Sequence, residues 1–384
     1  MVQVRKPKEV ERPILPANLV IVCLFMVSGV FISLFMSSAF GWFAEIASYV
    51  KSGPPINVSM PKIGLGTFML NRKDVRSTIL TALELGYRRI DCAPVYFNED
   101  VIGDVLNEQT IVAREELFIV SKLPSPFHKQ QHVELALLKT LTDLRLDYLD
   151  LYLVHWPVAF KYVPIYPSHR GFANEDIDNS DGGRNIDPTV SLLETWRGME
   201  ALVKKGLVKH IGLSNVPIAL LNELLANDLR VRPAINQVEL HPFLQQNNLV
   251  KHCLQNGIQV QAYAPLGSPG FKESGEPGVL DAVQEVSSSA TPAQVAIAWA
   301  LQRGTTVVVK GTSEEHLKEN LNAELIKLKP SDIKKIDKLN RNYRFFRPEG
   351  EHLFLFAFCP FCFAVRSWNH SHSDWWGPAG AVFD

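Results

Sequence analysis

The chain has 384 residues, with 39 basic and 40 acidic side chains and a formal net charge of -1. That balance argues against a general nucleic-acid binder, which carries a basic excess. A hydrophobic share of 46% with 21% charged residues excludes a disordered or collagen-like chain, and five cysteines over this length exclude a disulfide scaffold.

Residues 1–18 form a short basic tail. From Pro13 to Ala44 there is no charged residue, and Leu19–Phe43 is an unbroken run of 25 uncharged, mostly apolar residues. At about 1.5 Å per residue, a helix of that length covers the ~30 Å hydrocarbon core of a bilayer. The run therefore reads as a transmembrane helix or signal anchor. A buried core helix and a cleavable signal peptide are the rivals, and Ser37, Ser38 and Ala39 offer a cleavage site. Arg5, Lys6, Lys8 and Arg12 precede the run, whereas only Lys51 and Lys62 follow closely. The positive-inside tendency then leaves the N-terminus in the cytosol and sends the main domain across the membrane. The expectation is a single-pass protein of an endomembrane.

A linker, 44–56, contains Gly53, Pro54 and Pro55. Beyond it, β-rich runs alternate with amphipathic helical stretches. The expected strands are Ile63–Phe68, Arg88–Ala93, Leu117–Lys122, Leu149–His155, His210–Ser214, Ala234–Glu239, Gln259–Ala264 and Thr305–Lys310. The clearest helices are Asp74–Leu85, His132–Leu144, Leu192–Lys205 and Ile218–Leu225. The strands lack the polar alternation of a half-exposed sheet, which suits parallel strands covered by helices. The fold class is α/β, a (β/α)8 TIM barrel preceded by a single hydrophobic transmembrane helix. A doubly wound sheet is the runner-up, but no strand is followed by G-x-G-x-x-G, so a Rossmann dinucleotide site is not supported. Val158–Val190 is too long and too rich in Pro, Gly, Asp and Asn for a simple connection, and reads as a pocket wall or lid.

In a barrel the site gathers where strands end. The polar groups there are Asp91, Tyr96, Lys122 and His155. An ammonium beside a phenol favours the phenolate and is expected to lower the tyrosine pKa. Asp91 would keep the lysine charged and in place, and His155 could hydrogen-bond a substrate oxygen. Cys23, Cys92, Cys253, Cys359 and Cys362 have no zinc-like spacing with histidine, and no metal is expected.

Six segments carry a resemblance. They are GYRRIDCAPVYFNEDVIG at 86–103, FIVSKL at 118–123, LDLYLVHWP at 149–157, IGLSN at 211–215, NQVELHP at 236–242 and AYAPLGSP at 262–269. In that order they resemble the aldo-keto reductases, over residues 57–349 and the last eleven. Arg89 departs from the small or apolar residue usual at its position. The resemblance implies NADPH-dependent reduction of an aldehyde or ketone to an alcohol, with Tyr96 as general acid, Lys122 and Asp91 tuning it and His155 orienting the carbonyl. It implies cofactor contacts from Gly66, Thr67, Ser214, Asn215, Gln237, Tyr263, Leu266, Ser268, Lys310, His316, Glu319 and Asn320. Pocket walls would come from Phe68 and Trp156. Gly311 and His316 replace the hydroxyl and guanidinium usual near the 2′-phosphate, so NADH is a second cofactor and discrimination is expected to be weaker.

Residues 350–373 interrupt the family pattern, and 374–384, DWWGPAGAVFD, resume it as the C-terminal tail of the reductase. The interruption reads as a retained intron or a mispredicted exon boundary. A Cys359–Cys362 redox or metal pair is the lesser alternative. The implied partners are a small-molecule carbonyl substrate and a membrane, through residues 19–43; no nucleic acid is expected, and the chain is expected to be a monomer. The rival function is a nicotinamide-cofactor-binding accessory or sensor subunit of a membrane protein, a role that does not need all four residues of the Asp91–Tyr96–Lys122–His155 set.

Overall fold

The computed structural model describes residues 58–164, 186–267, 278–286 and 289–346. The chain divides into two units, Met1–Pro55 and Ile56–Asp384, and all described residues belong to the second. Residues 19–43, Ser268, the middle of the Val158–Val190 loop, the 350–373 interruption and the 374–384 tail lie outside the described residues. Among the described residues, no helix is long and apolar enough to cross a membrane.

Eight strands form a closed barrel in chain order. They are β1 (Ile63–Gly66), β2 (Arg89–Asp91), β3 (Phe118–Leu123), β4 (Leu149–Val154), β5 (Val208–Ser214), β6 (Ile235–Glu239), β7 (Gln259–Tyr263) and β8 (Thr306–Val309). Every neighbouring pair is parallel, and β1 closes on β8 through Ile63 opposite Val307. Closure overturns the doubly wound alternative, which would leave two sheet edges. The helices are α1 (Arg72–Leu85), α2 (Glu99–Glu108), α3 (Gln130–Leu144), α4 (Leu192–Lys204), α5 (Ile218–Leu225), α6 (Asn247–Gln255), α7 (Val279–Val283), α8 (Pro292–Gln302), α9 (Glu314–Asn322) and α10 (Pro330–Asp337).

Local chemistry sets the helix ends. Ser191 Oγ accepts the N–H of Glu194 at the start of α4, and Thr291 with Gln294 makes a reciprocal cap before Pro292 at the start of α8. Gly86 ends α1 at φ 105°, a left-handed position that only glycine takes without cost.

Alternation along each strand separates two apolar sets. Ile90, Ile119, Tyr152 and Val154 belong to the large core between barrel and helices. Phe118, Val120, Leu151, Leu153 and Ile235 pack with Val58 as a smaller core. Strand alternation puts Lys122 on the Phe118–Val120 face and His155 on the Leu151–Leu153 face. On β3 and β4 this face is therefore apolar low down and polar toward the strand ends. On β2 the same alternation gives Arg89 and Asp91 one face.

Candidate active site

A short 3-10 turn, Pro94–Tyr96, follows β2 and carries the tyrosine. Pro94 pre-sets its first φ angle, and Phe97 closes the turn at φ 55°. Arg72 pins this corner, donating to Phe97 O at 2.7 Å and making a two-pronged ion pair with Asp100. Buried Asn98 donates to Thr67 O at 2.9 Å and to Leu70 O at 3.3 Å, tying the turn to the loop after β1. The tyrosine is thus aimed by its neighbours on both sides.

The ammonium of Lys122 is completely buried, and it sits at the centre of the site. It pairs with Asp91 Oδ1 and donates to Cys92 O at 2.9 Å and to Tyr96 Oη at 3.1 Å. Burial works against its charge, but Asp91 and Tyr96 outweigh burial and hold the ammonium above its usual range. The expected lowering of the tyrosine is overturned. Burial pushes the Tyr96 phenol up to about 12, and the Lys122 charge only partly opposes it. The His155 ring lies edge-on to Tyr96 at 5.9 Å. Burial, helped by the Lys122 charge, holds His155 well below its ordinary value, so its imidazole is neutral at pH 7.

Asp91 is further held from the barrel interior. Gln237 Nε2 donates to its Oδ2 at 2.7 Å and Gln261 Nε2 at 3.2 Å. Gln237, expected on a cofactor carboxamide, therefore has its side-chain nitrogen turned toward Asp91. Gln261 was not among the expected site residues. Its signal was a buried amide in a strand otherwise read as apolar.

Of the remaining expected residues, Ser214, Asn215 and Tyr263 form one linked set. Tyr263 Oη donates to Asn215 Oδ1 at 2.9 Å, Asn215 Nδ2 donates to His155 O at 3.0 Å, and Ser214 Oγ donates to Gln237 O at 2.9 Å. Asn215 adopts φ 60°, a left-handed conformation that asparagine tolerates better than most residues. Gly66 ends β1, and Thr67 donates through both N and Oγ1 to Asp91 O. Lys310 is exposed just past β8, and the protein packed around it lowers its pKa. No carboxylate among the described residues pairs with it. At α9, Ser313 Oγ caps the N–H of His316, whose side chain is exposed; Glu319 is partly exposed and Asn320 is buried. Leu266 packs on the large core and Trp156 is partly exposed.

Aromatic rings frame the opening. Phe68 lies 5.1 Å from Tyr96, and Phe346 stands edge-on to Tyr263 at 5.6 Å and to Phe68 at 6.1 Å. Phe346 arrives because buried Glu239 accepts the backbone N–H groups of Phe345 at 2.7 Å and Phe346 at 3.1 Å. Burial opposes the Glu239 charge, yet His241, Arg344 and the Phe345 N–H hold its carboxyl below the usual range. Neither Phe346 nor its carboxylate latch was foreseen, because the contacts span about a hundred residues of chain. The ends of the long loop are joined to each other, with Phe160 bridging Ile186 and Asp187 N donating to Ala159 O at 2.9 Å.

Among the described residues no cluster of His, Cys, Asp and Glu could hold a metal ion. Comparison with known proteins agrees with the geometry. The family model described as Aldo/keto reductase family matches residues 62–341. An NADPH-dependent D-xylose reductase of Meyerozyma guilliermondii is 39% identical over 305 residues, covering 75% of this chain and 94% of that protein. Aldo-keto reductase family 1 member A1 of Cricetulus griseus is 42% identical over 300 residues, and the Homo sapiens protein 40% over 299, each alignment covering 75% of this chain and 89% of the relative. The chain belongs to the aldo/keto reductase family and is an oxidoreductase that acts on carbonyl groups with a nicotinamide cofactor.

Proposed function

We propose that this protein reduces an aldehyde or ketone to the alcohol with NADPH, and that Tyr96 delivers the proton. The observation that carries the reading is the buried Lys122 ammonium bonded at once to Asp91 and to the Tyr96 hydroxyl. A carbonyl oxygen that gains negative charge needs a proton donor beside a positive charge. Tyr96 Oη supplies the proton, and Lys122 stabilises the phenolate left behind. Asp91 keeps Lys122 charged and fixed, so no water has to reorganise as charge develops. Neutral His155 has one ring N–H to donate, which orients the carbonyl oxygen toward Tyr96. Phe68, Phe346 and Trp156 provide apolar surface that keeps water from the reacting atoms.

The residues present fit the cofactor. Lys310 is a cation with no carboxylate partner among the described residues, as a 2′-phosphate would need. The Ser214–Asn215–Tyr263 set offers a ring face next to amide and hydroxyl groups. When bound, the nicotinamide supplies the hydride. Lys310 binds phosphate as a point charge, and Gly311 with His316 leaves no second strong anchor, so NADH is a weaker second cofactor.

Residues 19–43 are proposed as a membrane anchor on an endomembrane, and the apolar mouth and tether together favour aromatic or lipid-derived carbonyls. The test is NADPH consumption by detergent-solubilised full-length protein with short, aromatic and lipid aldehydes. Tyr96→Phe should lower the rate by ~10²–10⁴ while NADPH binding persists. Cofactor binding without any turnover in the wild-type chain would favour the accessory-subunit reading instead.

A further inference from the structure

Arg89, which reads from the sequence as a departure within the first motif, is completely buried. A buried guanidinium is costly unless its donors are satisfied. Here one Nη1 donates to Gln261 Oε1 at 3.3 Å, to Thr306 Oγ1 at 3.2 Å and toward Met60 Sδ at 3.1 Å. Nη2 donates to Lys62 O at 3.1 Å and to Val307 O, so both Nη atoms are satisfied, while the buried Nε has no partner among the described residues. The room for it comes from β1. A Cβ at Gly64 would lie 2.4 Å from Arg89 Nε, so a larger residue there would force the side chain out.

These contacts extend toward the catalytic residues. Gln261 receives Arg89 on its oxygen and donates its nitrogen to Asp91 Oδ2. Asp91 pairs with Lys122, and Lys122 donates to Tyr96. A continuous line of polar contacts therefore runs inside the barrel from Arg89 to the phenol. Its chemistry is one-way: guanidinium has donors only, an ionised carboxylate has acceptors only, and the amide between them satisfies both in a single orientation. Burial lowers Arg89 to about 10 and Asp91 partly restores it, so Arg89 stays charged and the orientation holds at neutral pH.

We propose that Arg89 is a positioning residue for the reductase site, fixing the Gln261 amide so that its nitrogen faces Asp91 and holds the carboxylate that carries Lys122. This rests on the reading of Tyr96 as the acid. With an apolar residue at 89, the Gln261 oxygen has no donor and the side chain is held from the Asp91 side alone, so it shifts to satisfy its oxygen and loosens one of the two glutamine donors to Asp91. Arg89 itself touches neither substrate nor cofactor; it acts through Gln261.

Arg89→Met keeps the length and removes the donors, while Arg89→Lys keeps donor-only chemistry. The first readout is a crystal structure of full-length Arg89→Met, which does not depend on turnover. The expected result is that Gln261 Nε2 has left Asp91, and an unmoved Gln261 overturns the proposal. The second readout is kinetic, per NADPH-binding site titrated by fluorescence. In Arg89→Met, kcat should fall about 10-fold, the scale of one hydrogen bond to a charged group, with KM and the NADPH Kd unchanged. Arg89→Lys should recover most of it. Gln261→Leu should show the same loss, and the double variant no more than either single, because the two residues act in series. A full additive loss in the double variant, or a fall in melting temperature with kcat unchanged, would assign Arg89 to packing alone. Failure of the acid assignment shows separately, as wild-type turnover that survives Tyr96→Phe.

Discussion

At the scale of single residues, the site is governed by burial as much as by neighbouring charge. Tyr96 illustrates the contest. Lys122 pulls the phenol down, but loss of water raises it further, to about 12. The proton is therefore retained at neutral pH, as an acid requires. In the proposed reduction the protonated form is the active one, and it is lost only as pH rises through the folded pKa. Between about pH 6 and 9, kcat for reduction should accordingly show no falling limb from Tyr96, which pH–rate profiles at saturating NADPH would test. Lys310 presents a simpler case, an exposed cation proposed to meet the 2′-phosphate of NADPH. Lys310→Met should weaken NADPH binding about 10-fold and leave NADH binding nearly unchanged, read by fluorescence titration of both nucleotides.

At the scale of elements, α2, β3 and α3 meet around a buried carboxyl. Glu99 on α2 accepts from Ser121 Oγ of β3 at 2.6 Å and from Thr140 Oγ1 of α3 at 3.2 Å. Burial raises it from the usual 4.5 to about 8, against the pull of the Ser121 hydrogen bond. The folded chain thus keeps a proton that the unfolded chain releases, and stability falls as pH climbs from 4.5 to about 8, then levels. Glu99→Gln has the same shape and no charge to desolvate. Its urea midpoint should gain on the wild type progressively across that window; equal differences near pH 5 and above pH 8 would contradict this origin. Ser121 faces Glu99 while its neighbour Lys122 pairs with Asp91, so the alternation of β3 separates the buried carboxyl from the candidate site. On β6, Gln237 and Glu239 are two residues apart and share one face. Gln237 turns to Asp91, and Glu239 holds the backbone that delivers Phe346.

At the scale of the whole molecule, an apolar N-terminal run precedes the barrel in the sequence. The proposal of a tether has a direct check. Full-length protein should stay with membranes after alkaline carbonate and leave with detergent, whereas a chain lacking residues 1–43 should be found in the soluble fraction.

Much of the fold was legible from local pattern. Eight apolar runs ended within two residues of the observed strands, because a parallel strand covered on both faces must be apolar whatever its partners. The gathering of Asp91, Tyr96, Lys122 and His155 was also legible, since each sits at or just past a strand end, where a barrel converges its side chains. What pattern could not supply was the sum of environments. The pKa of Tyr96 depends on how much water the closed barrel removes, and the partners of Asp91 come from β6 and β7, about 150 residues away. Arg89 read as a tolerable departure within one motif. Only the closed barrel brought it to Gln261, because contacts inside a barrel are set by strand order and register, and both are properties of the folded chain.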